Sequence, residues 1–237
     1  AAWFVVDGAS GVPDPDARVV EACHAGGLGV IQAVVYNPLG PSGNYLPLFG
    51  PYLREGTANT WGDALNLGEP EVRRYILDDA RMWFEEYGVD GLRLDAVHAL
   101  HDTSPEEGGE HLLATLSRET DGLAARLGRP LTLIAESDLN DPIMFAARED
   151  GGHGLTAQWS DDYHHAVHAY LTGERRGYYA DHGPLENVAQ ALRDPFVLAG
   201  QYSRFRERRH GAPAHDRPAE QFVIFNQNHD QVGNRLH

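Results

Sequence analysis

Two charged side chains stand two residues apart in the short stretch GLRLDA at positions 91–96. The glycine, leucines and alanine are typical of a buried strand. Because side chains alternate along a strand, Arg93 and Asp95 are expected on one face, with Leu92 and Leu94 on the other. Burying an arginine is costly unless carboxylates pair with it, so the stretch predicts further carboxylates nearby. Taken alone, it is also explained by a single ion pair that only fixes strand register.

Three predicted strands end on acidic residues, namely Asp95, Glu136 and Asp230. In an α/β barrel the carboxyl ends of the strands share one face, so these acids can converge although they lie far apart in sequence. Two carboxylates about 5–5.5 Å apart hydrolyse glycosidic bonds with retention, one as nucleophile and one as general acid and base. Arg93 would keep the nucleophile ionised, whereas the acid needs a raised pKa. Helix caps and salt bridges explain any one such acid, but all three together with Arg93 and His229 favour a catalytic site.

Other chemistry has weaker support in the sequence. His164, His165 and His168 lie at helical spacing, which is compatible with metal ligation. No carboxylate completes a motif such as H-E-x-x-H, so a solvated or hydrogen-bonded histidine face explains them better. Ser137 lies in no nucleophile elbow. Cys23 lies on the apolar face of a predicted helix, where we expect it to be part of the core.

The elements that position these residues alternate between strand and helix. Apolar periodicity with glycine, proline and capping signals predicts helices at 16–24, 70–87, 112–127 and from Asp161 or Asp162 to 171, with a partly helical stretch at 185–198 that Pro195 interrupts. Short apolar runs predict strands at 28–36, 91–96, 131–135, 156–160 and 221–225. Residues 204–218 read as polar and irregular. Residues 39–67 read as a long functional loop with aromatic surface from Tyr45, Phe49, Tyr52 and Trp61.

This order predicts parallel strands with helices packed outside them. A (β/α)₈ barrel and a doubly wound sheet both fit the order. No G-x-G-x-x-G follows the first strand, which weakens a dinucleotide-binding interpretation.

Composition narrows the class of ligand. The 237 residues carry a formal net charge of −16, which argues against binding nucleic acid or an anionic membrane through a general basic surface. A neutral or cationic ligand is easier to accommodate. The single cysteine favours a reducing compartment, and neither a spanning segment nor a secretion signal is visible, so a cytoplasmic location is expected.

Three of these motifs carry a resemblance to a known family. GLRLDAVH at 91–98, LIAES at 133–137 and FNQNHDQ at 225–231 resemble three of the four signature regions of glycoside hydrolase family 13, the α-amylase superfamily, in that family's order. The resemblance implies a (β/α)₈ barrel in which Asp95 is the nucleophile, Glu136 the acid and base, and Asp230 the acid that stabilises the transition state. It also implies that substrate is bound by Arg93, His229, Tyr36, Asn37, His98, Asp162 and Gln231.

Within the family, the flanking sequence is most similar to trehalose-releasing hydrolases, notably at 36–52, 135–142, 157–181 and 226–235. This implies cleavage of the α-1,4 bond next to the trehalose end of a maltooligosyl trehalose, with no metal or organic cofactor. Two other functions remain open. One is a branching or debranching α-glucan enzyme with the same acids, and the other is a non-catalytic carbohydrate-binding protein with a decayed site.

The chain departs from the family pattern in its first signature region and in its length. Ala33 stands where the family usually has aspartate, and Pro38 stands where it has histidine, so we expect a looser local network and weaker binding of the reacting sugar. Only about five of the eight barrel strands are found. Residues 1–237 are therefore interpreted as part of a catalytic domain without its flanking β domains, and an open barrel is expected to expose edge strands and apolar helix faces.

Overall fold

A computed structural model describes residues 13–37, 39–40, 43–54, 56 and 62–231. The helices are α1 (Pro13–Ala25), α2 (Pro70–Glu85), α3 (Leu112–Leu127), α4 (Asp161–Thr172) and α5 (Leu185–Arg193). The strands are β1 (Ile31–Val34), β2 (Gly91–Leu94), β3 (Thr132–Ala135), β4 (Ala157–Trp159), β5 (Tyr202–Ser203), β6 (Arg208–Arg209) and β7 (Phe222–Val223). Pro38 and Trp61 lie outside the described residues.

Five of these strands form one parallel sheet in the order β1-β2-β3-β4-β7. Its register aligns Ala33 and Ile134 with Arg93, so the carboxyl ends of these strands lie together at the same end of the sheet. The predicted partial (β/α)₈ barrel is confirmed: within the described residues the sheet stays open, with β1 and β7 at its edges. Leu28 and Ile31, beside the open edge, are 64% and 53% exposed.

The helices bury an apolar stripe against this sheet. α2 begins at Pro70, whose missing N–H is no loss in a first turn, and it buries Val72, Ile76, Ala80 and Phe84. α3 ends at Gly128, whose positive φ of 66° suits glycine at a helix C-terminus. None of the helices in the described ranges is long and apolar enough to cross a membrane.

Several predicted boundaries change. Residues 204–218 were expected to be irregular, but Tyr202–Ser203 and Arg208–Arg209 pair as an antiparallel hairpin. Neither Asp161 nor Asp162 caps α4, because both lie in its first turn and Ser160 is the N-cap residue. α5 ends at Arg193 because Asp194, which precedes Pro195, is extended, as proline requires of its neighbour. Cys23, expected in the core, is only half-buried.

Candidate active site

The site forms around the guanidinium of Arg93. Arg93 lies in β2, is 5% exposed, and places Nη1 2.5 Å from Oδ1 of Asp95, just beyond the end of the same strand. Its Nη2 pairs with Oε1 of Glu136, which follows the neighbouring strand β3. The face of the guanidinium lies 4.6 Å from the centroid of the Trp159 indole at the end of β4, a favourable cation–π distance. Two adjacent strand ends thus supply an ionic cluster, and a third supplies the aromatic ring that packs on it.

Backbone geometry completes the surroundings of the two carboxylates. Asn37, just beyond β1, donates from Nδ2 to Oδ2 of Asp95 at 2.8 Å. Ala96 has a φ of 38°, a left-handed conformation that is costly for a residue with a Cβ. In this conformation its backbone N–H donates to Oε2 of Glu136 at 2.9 Å. The strained turn is therefore used to hold Glu136 beside Asp95.

The two carboxyl groups have different surroundings. Burial raises the pKa of Glu136, and the nearby Asp95 carboxylate raises it further. The hydrogen bond from the Ala96 N–H and the positive charge of Arg93 lower this pKa. The net direction is upward, as a proton donor requires. Asp95 instead accepts hydrogen bonds from Asn37 and Arg93, which fix the positions of its two carboxylate oxygens. This division suits a nucleophile and a general acid.

Asp230, the third predicted acid, is not joined to this cluster. Its carboxylate is largely exposed and lies 3.4 Å from Nε2 of His229. The segment is turned by Asn228, whose Oδ1 accepts from the backbone N–H of Asp230 and of Gln231. The His229 ring lies 6.3 Å from the Trp159 ring, which brings this segment to the edge of the cluster. The sheet pairing of β7 covers only two residues, so residues 224–231 are positioned by side-chain contacts instead.

The other predicted substrate-binding residues are placed differently. Tyr36 is buried and its hydroxyl donates to Oδ2 of Asp79 on α2 at 2.6 Å, on the core side of the sheet. Asp162 is also buried, and its Oδ2 accepts from Asn140 and from the backbone N–H of Val197 and Leu198. That carboxylate therefore fastens α4 to the 195–198 segment.

His98 lies near the Glu136 loop, with Nδ1 3.8 Å from Oδ1 of Asp138. Asp138 also pairs with Arg206 of the β5–β6 hairpin at 3.1 Å, so the hairpin packs beside the site. This hairpin was missed because its two strands are each two residues long, too short to show an apolar alternation.

Asp161, which was predicted as a cap of α4, belongs to the electrostatic surroundings of the cluster. Burial raises its pKa to about 7, and repulsion from Glu136, Asp162 and Asp138 adds to the shift. Its Oδ1 is buried without a hydrogen-bond partner among the described residues. The sequence signal was available, because Asp161 lies two residues beyond the end of β4, and Glu136 likewise lies just beyond the end of β3.

The histidines on α4 have no arrangement that suits a metal ion. His164 contacts the Asn226 carbonyl and the Tyr179 hydroxyl, and His168 contacts Glu174. His165 stacks on Tyr178 at 4.3 Å. Within the part of the chain that the structure describes, no group of three or more His, Cys, Asp or Glu residues is placed to hold a metal ion.

The chain is similar to known proteins in sequence and in fold. No protein-family model matches the chain. The chain is 56% identical to malto-oligosyltrehalose trehalohydrolase from Arthrobacter ramosus over 98% of its own length and 40% of that protein. It is 33% identical to a 1,4-alpha-glucan branching enzyme from Xanthomonas oryzae over 79% of its length and 29% of that protein. A solved putative alpha amylase from Salmonella typhimurium matches with a TM-score of 0.86 and 35% identity, covering 95% of this chain and 38% of that one.

The chain spans about 40% of the length of the trehalohydrolases that it matches. Those matches confirm the predicted resemblance, both to the α-amylase fold and to the trehalose-releasing hydrolases. They run over nearly the whole chain, so they include the three motifs at the ends of β2, β3 and β7.

Proposed function

We infer that the chain belongs to glycoside hydrolase family 13, and we propose that it carries the reacting carboxylates of a retaining hydrolase that releases trehalose from maltooligosyl trehalose. The observation that supports this most directly is the pairing of one guanidinium, Arg93, with both Asp95 and Glu136. A shared cation keeps two carboxyl groups close together, and closely spaced carboxyl groups are the arrangement of retaining glycosidases.

In the proposed reaction the Asp95 carboxylate attacks the anomeric carbon while the carboxylic acid of Glu136 gives its proton to the glycosidic oxygen. The bond from the anomeric carbon to that oxygen breaks, and a covalent glycosyl ester forms on Asp95. Trehalose leaves with the donated proton. The Glu136 carboxylate then takes a proton from water, whose oxygen attacks the anomeric carbon and frees Asp95. The raised pKa of Glu136 supports the first step.

Arg93 and Asn37 have supporting roles in this reaction. Both contact the Asp95 carboxylate and orient it for attack. Asp230 is proposed as the acid that contacts sugar hydroxyls in the transition state. Its side chain is largely exposed, so it is accessible to the hydroxyl groups of a sugar.

The trehalose-end specificity is supported by the names of the relatives that match 98% of the chain. A branching α-glucan enzyme is the second candidate, because the Xanthomonas oryzae branching enzyme also matches most of the chain. A carbohydrate-binding protein without turnover is a third candidate, favoured by Ala33 at the position where the family usually has aspartate.

One assay separates these candidates. The chain is incubated with maltotriosyl trehalose and, separately, with maltopentaose, and Asp95→Asn serves as the control. Trehalose release that is lost in the variant supports the proposal, whereas cleavage of maltopentaose alone supports another family 13 specificity. A chain that unfolds cooperatively and binds these sugars without cleaving them contradicts the proposed hydrolysis.

A further inference from the structure

Beyond β7, the segment 224–231 is hydrogen-bonded to one histidine of α4. The last backbone bond of the strand pairing runs from the N–H of Ser160 to the carbonyl of Val223 at 2.9 Å. After that point, within the described residues, the hydrogen bond that joins 224–231 to another element comes from His164. Its Nδ1 lies 2.6 Å from the carbonyl oxygen of Asn226, four residues before Asp230.

The chemistry of the two partners fixes the state of this imidazole. A carbonyl oxygen only accepts hydrogen bonds, so Nδ1 of His164 must carry the proton. Nε2 lies 3.1 Å from the hydroxyl of Tyr179, which donates to it when the imidazole is neutral. His164 and Tyr179 are 3% and 2% exposed, so both contacts are shielded from water. Tyr179 therefore holds the ring in the orientation that presents Nδ1–H to Asn226.

Ring contacts connect the same segment to the ionic cluster. The His164 ring stacks on Phe225 with 5.8 Å between centroids and 19° between planes. Phe225 in turn lies 5.4 Å from Trp159, and Trp159 carries the guanidinium of Arg93 on its face. The 224–231 segment is thus held on one side by the Asn226 hydrogen bond and on the other by the indole that supports Arg93.

We propose that His164 is a positioning residue that acts through the Asn226 carbonyl to hold His229 and Asp230 at the edge of the Arg93 cluster. The catalytic consequence rests on the function proposed above, because it assumes that Asp230 serves the reaction. The anchoring itself does not rest on that function. A ring without Nδ1–H should leave the helix in place but release the segment.

Two substitutions at position 164 test the hydrogen bond separately from packing. The side-chain amide of Asn reaches about as far as Nδ1 of histidine, so His164→Asn retains a donor for the Asn226 carbonyl. The amide of Gln reaches about as far as Nε2, so His164→Gln is polar and of similar size but loses that donor. His165→Gln is the matched control, since His165 is the next residue of the same helix, is also buried, and stacks on Tyr178 rather than on the 224–231 segment.

Amide hydrogen exchange of peptides that cover 224–231 is the first measurement, with thermal unfolding to establish that each variant is folded. We expect His164→Gln to speed exchange in this segment at least tenfold, while His164→Asn and His165→Gln stay within about twofold of the unsubstituted chain. Tyr179→Phe, which removes the hydroxyl that contacts Nε2, should fall between them. In the trehalose-release assay we expect kcat to fall at least tenfold in His164→Gln, with KM changed less than threefold, and to recover in His164→Asn.

Unchanged exchange at 224–231 in His164→Gln overturns the anchor, as does equal acceleration in the His165→Gln control. If His164→Gln does not fold, the comparison of Tyr179→Phe with His165→Gln decides in the same way. Faster exchange with unchanged kcat overturns the catalytic part of the proposal. If the unsubstituted chain shows no turnover, the proposed function fails by that result, while the exchange data still decide whether His164 holds the segment.

Discussion

The Nη1 atom of Arg93 lies 2.5 Å from Oδ1 of Asp95, and the two side chains are 6% and 25% exposed. Arg93 also pairs with Glu136, whose side chain is 14% exposed. One buried cation therefore compensates two carboxylates. Removing one member of such a group leaves uncompensated charge in a poorly solvated site, which costs far more than the loss of a surface ion pair.

Arg93→Leu should therefore lower the free energy of unfolding by about 3 kcal/mol and abolish turnover, as measured by urea denaturation and by the trehalose-release assay. Arg118→Leu is the control, because Arg118 pairs with Glu110 at the surface, where the side chains are 54% and 39% exposed. Its loss should cost at most about 1 kcal/mol. Equal destabilisation by the two variants would contradict the buried cluster.

Asp161 makes stability depend on pH. Burial raises its pKa from the ordinary value of 3.8 to about 7, so the folded chain holds this proton more tightly than the unfolded chain. The stabilisation is fully present below about pH 4 and is lost as the pH rises through about 7. Each pKa unit corresponds to about 1.4 kcal/mol, so the loss is of the order of 4 kcal/mol.

Asp161→Asn should remove this dependence, because an amide does not titrate in that range. The measurement is the free energy of unfolding of both chains at pH 5 and pH 8, and the difference between the chains isolates Asp161 from other titrating groups. A difference that does not change between the two pH values would show that Asp161 has an ordinary pKa.

The contact between Tyr36 and Asp79 predicts that Tyr36 has a structural role rather than a substrate-binding role. Tyr36→Phe removes the donor at 2.6 Å from a buried carboxylate and should cost about 1–3 kcal/mol of unfolding free energy. Because this hydroxyl points into the core, we expect KM for maltotriosyl trehalose to change less than twofold at a temperature where the variant is folded. A tenfold rise in KM with unchanged stability would support direct contact of Tyr36 with sugar.

The sequence predicted the parallel architecture and the Arg93 cluster because both follow from local patterns. Alternation in residues 91–96 placed Arg93 and Asp95 on one face, and the cost of burying arginine required a second carboxylate, which is Glu136. The order of strands and helices then implied that their ends share one side of the sheet. Each of these steps uses backbone periodicity or the chemistry of one ion pair.

What the sequence did not reveal depends on contacts between distant segments. Tyr36 and Asp162 were predicted to bind substrate, but their side chains contact Asp79 on α2 and the backbone of 197–198, which no local pattern indicates. The position of Asp230 depends on His164 and Trp159 rather than on strand pairing. The residues of the site could therefore be predicted from the sequence, whereas their positions relative to the Arg93 cluster could not.

Ala33 offers a gain-of-stability test. It is aligned with Arg93 in the parallel register, so both side chains lie on the same face of the sheet. Among the described residues, Nε of Arg93 is buried without a hydrogen-bond partner. Ala33→Asp supplies an acceptor beside it and should raise the free energy of unfolding by about 1 kcal/mol, measured as a higher thermal midpoint.

Gln32→Asp is the control for Ala33→Asp. Position 32 is on the opposite face of β1, so this substitution adds the same charge away from Arg93. We expect no stabilisation from it. If Ala33→Asp is neutral or destabilising, or if both substitutions act alike, the prediction is wrong. An acid at position 33 then does not stabilise the chain by pairing with Nε of Arg93.

The central claim, that Asp95 forms a covalent bond to sugar with Glu136 as its acid and base, is tested most directly by trapping the intermediate. The chain carrying Glu136→Gln is treated with an α-maltosyl fluoride, whose fluoride leaves without needing a proton, and is then digested and mapped by mass spectrometry. The account predicts a glycosyl adduct on the peptide that contains Asp95 and none when Asp95→Asn is added. An adduct on Asp230, or hydrolysis of the fluoride by folded chain that persists in Asp95→Asn, would contradict it.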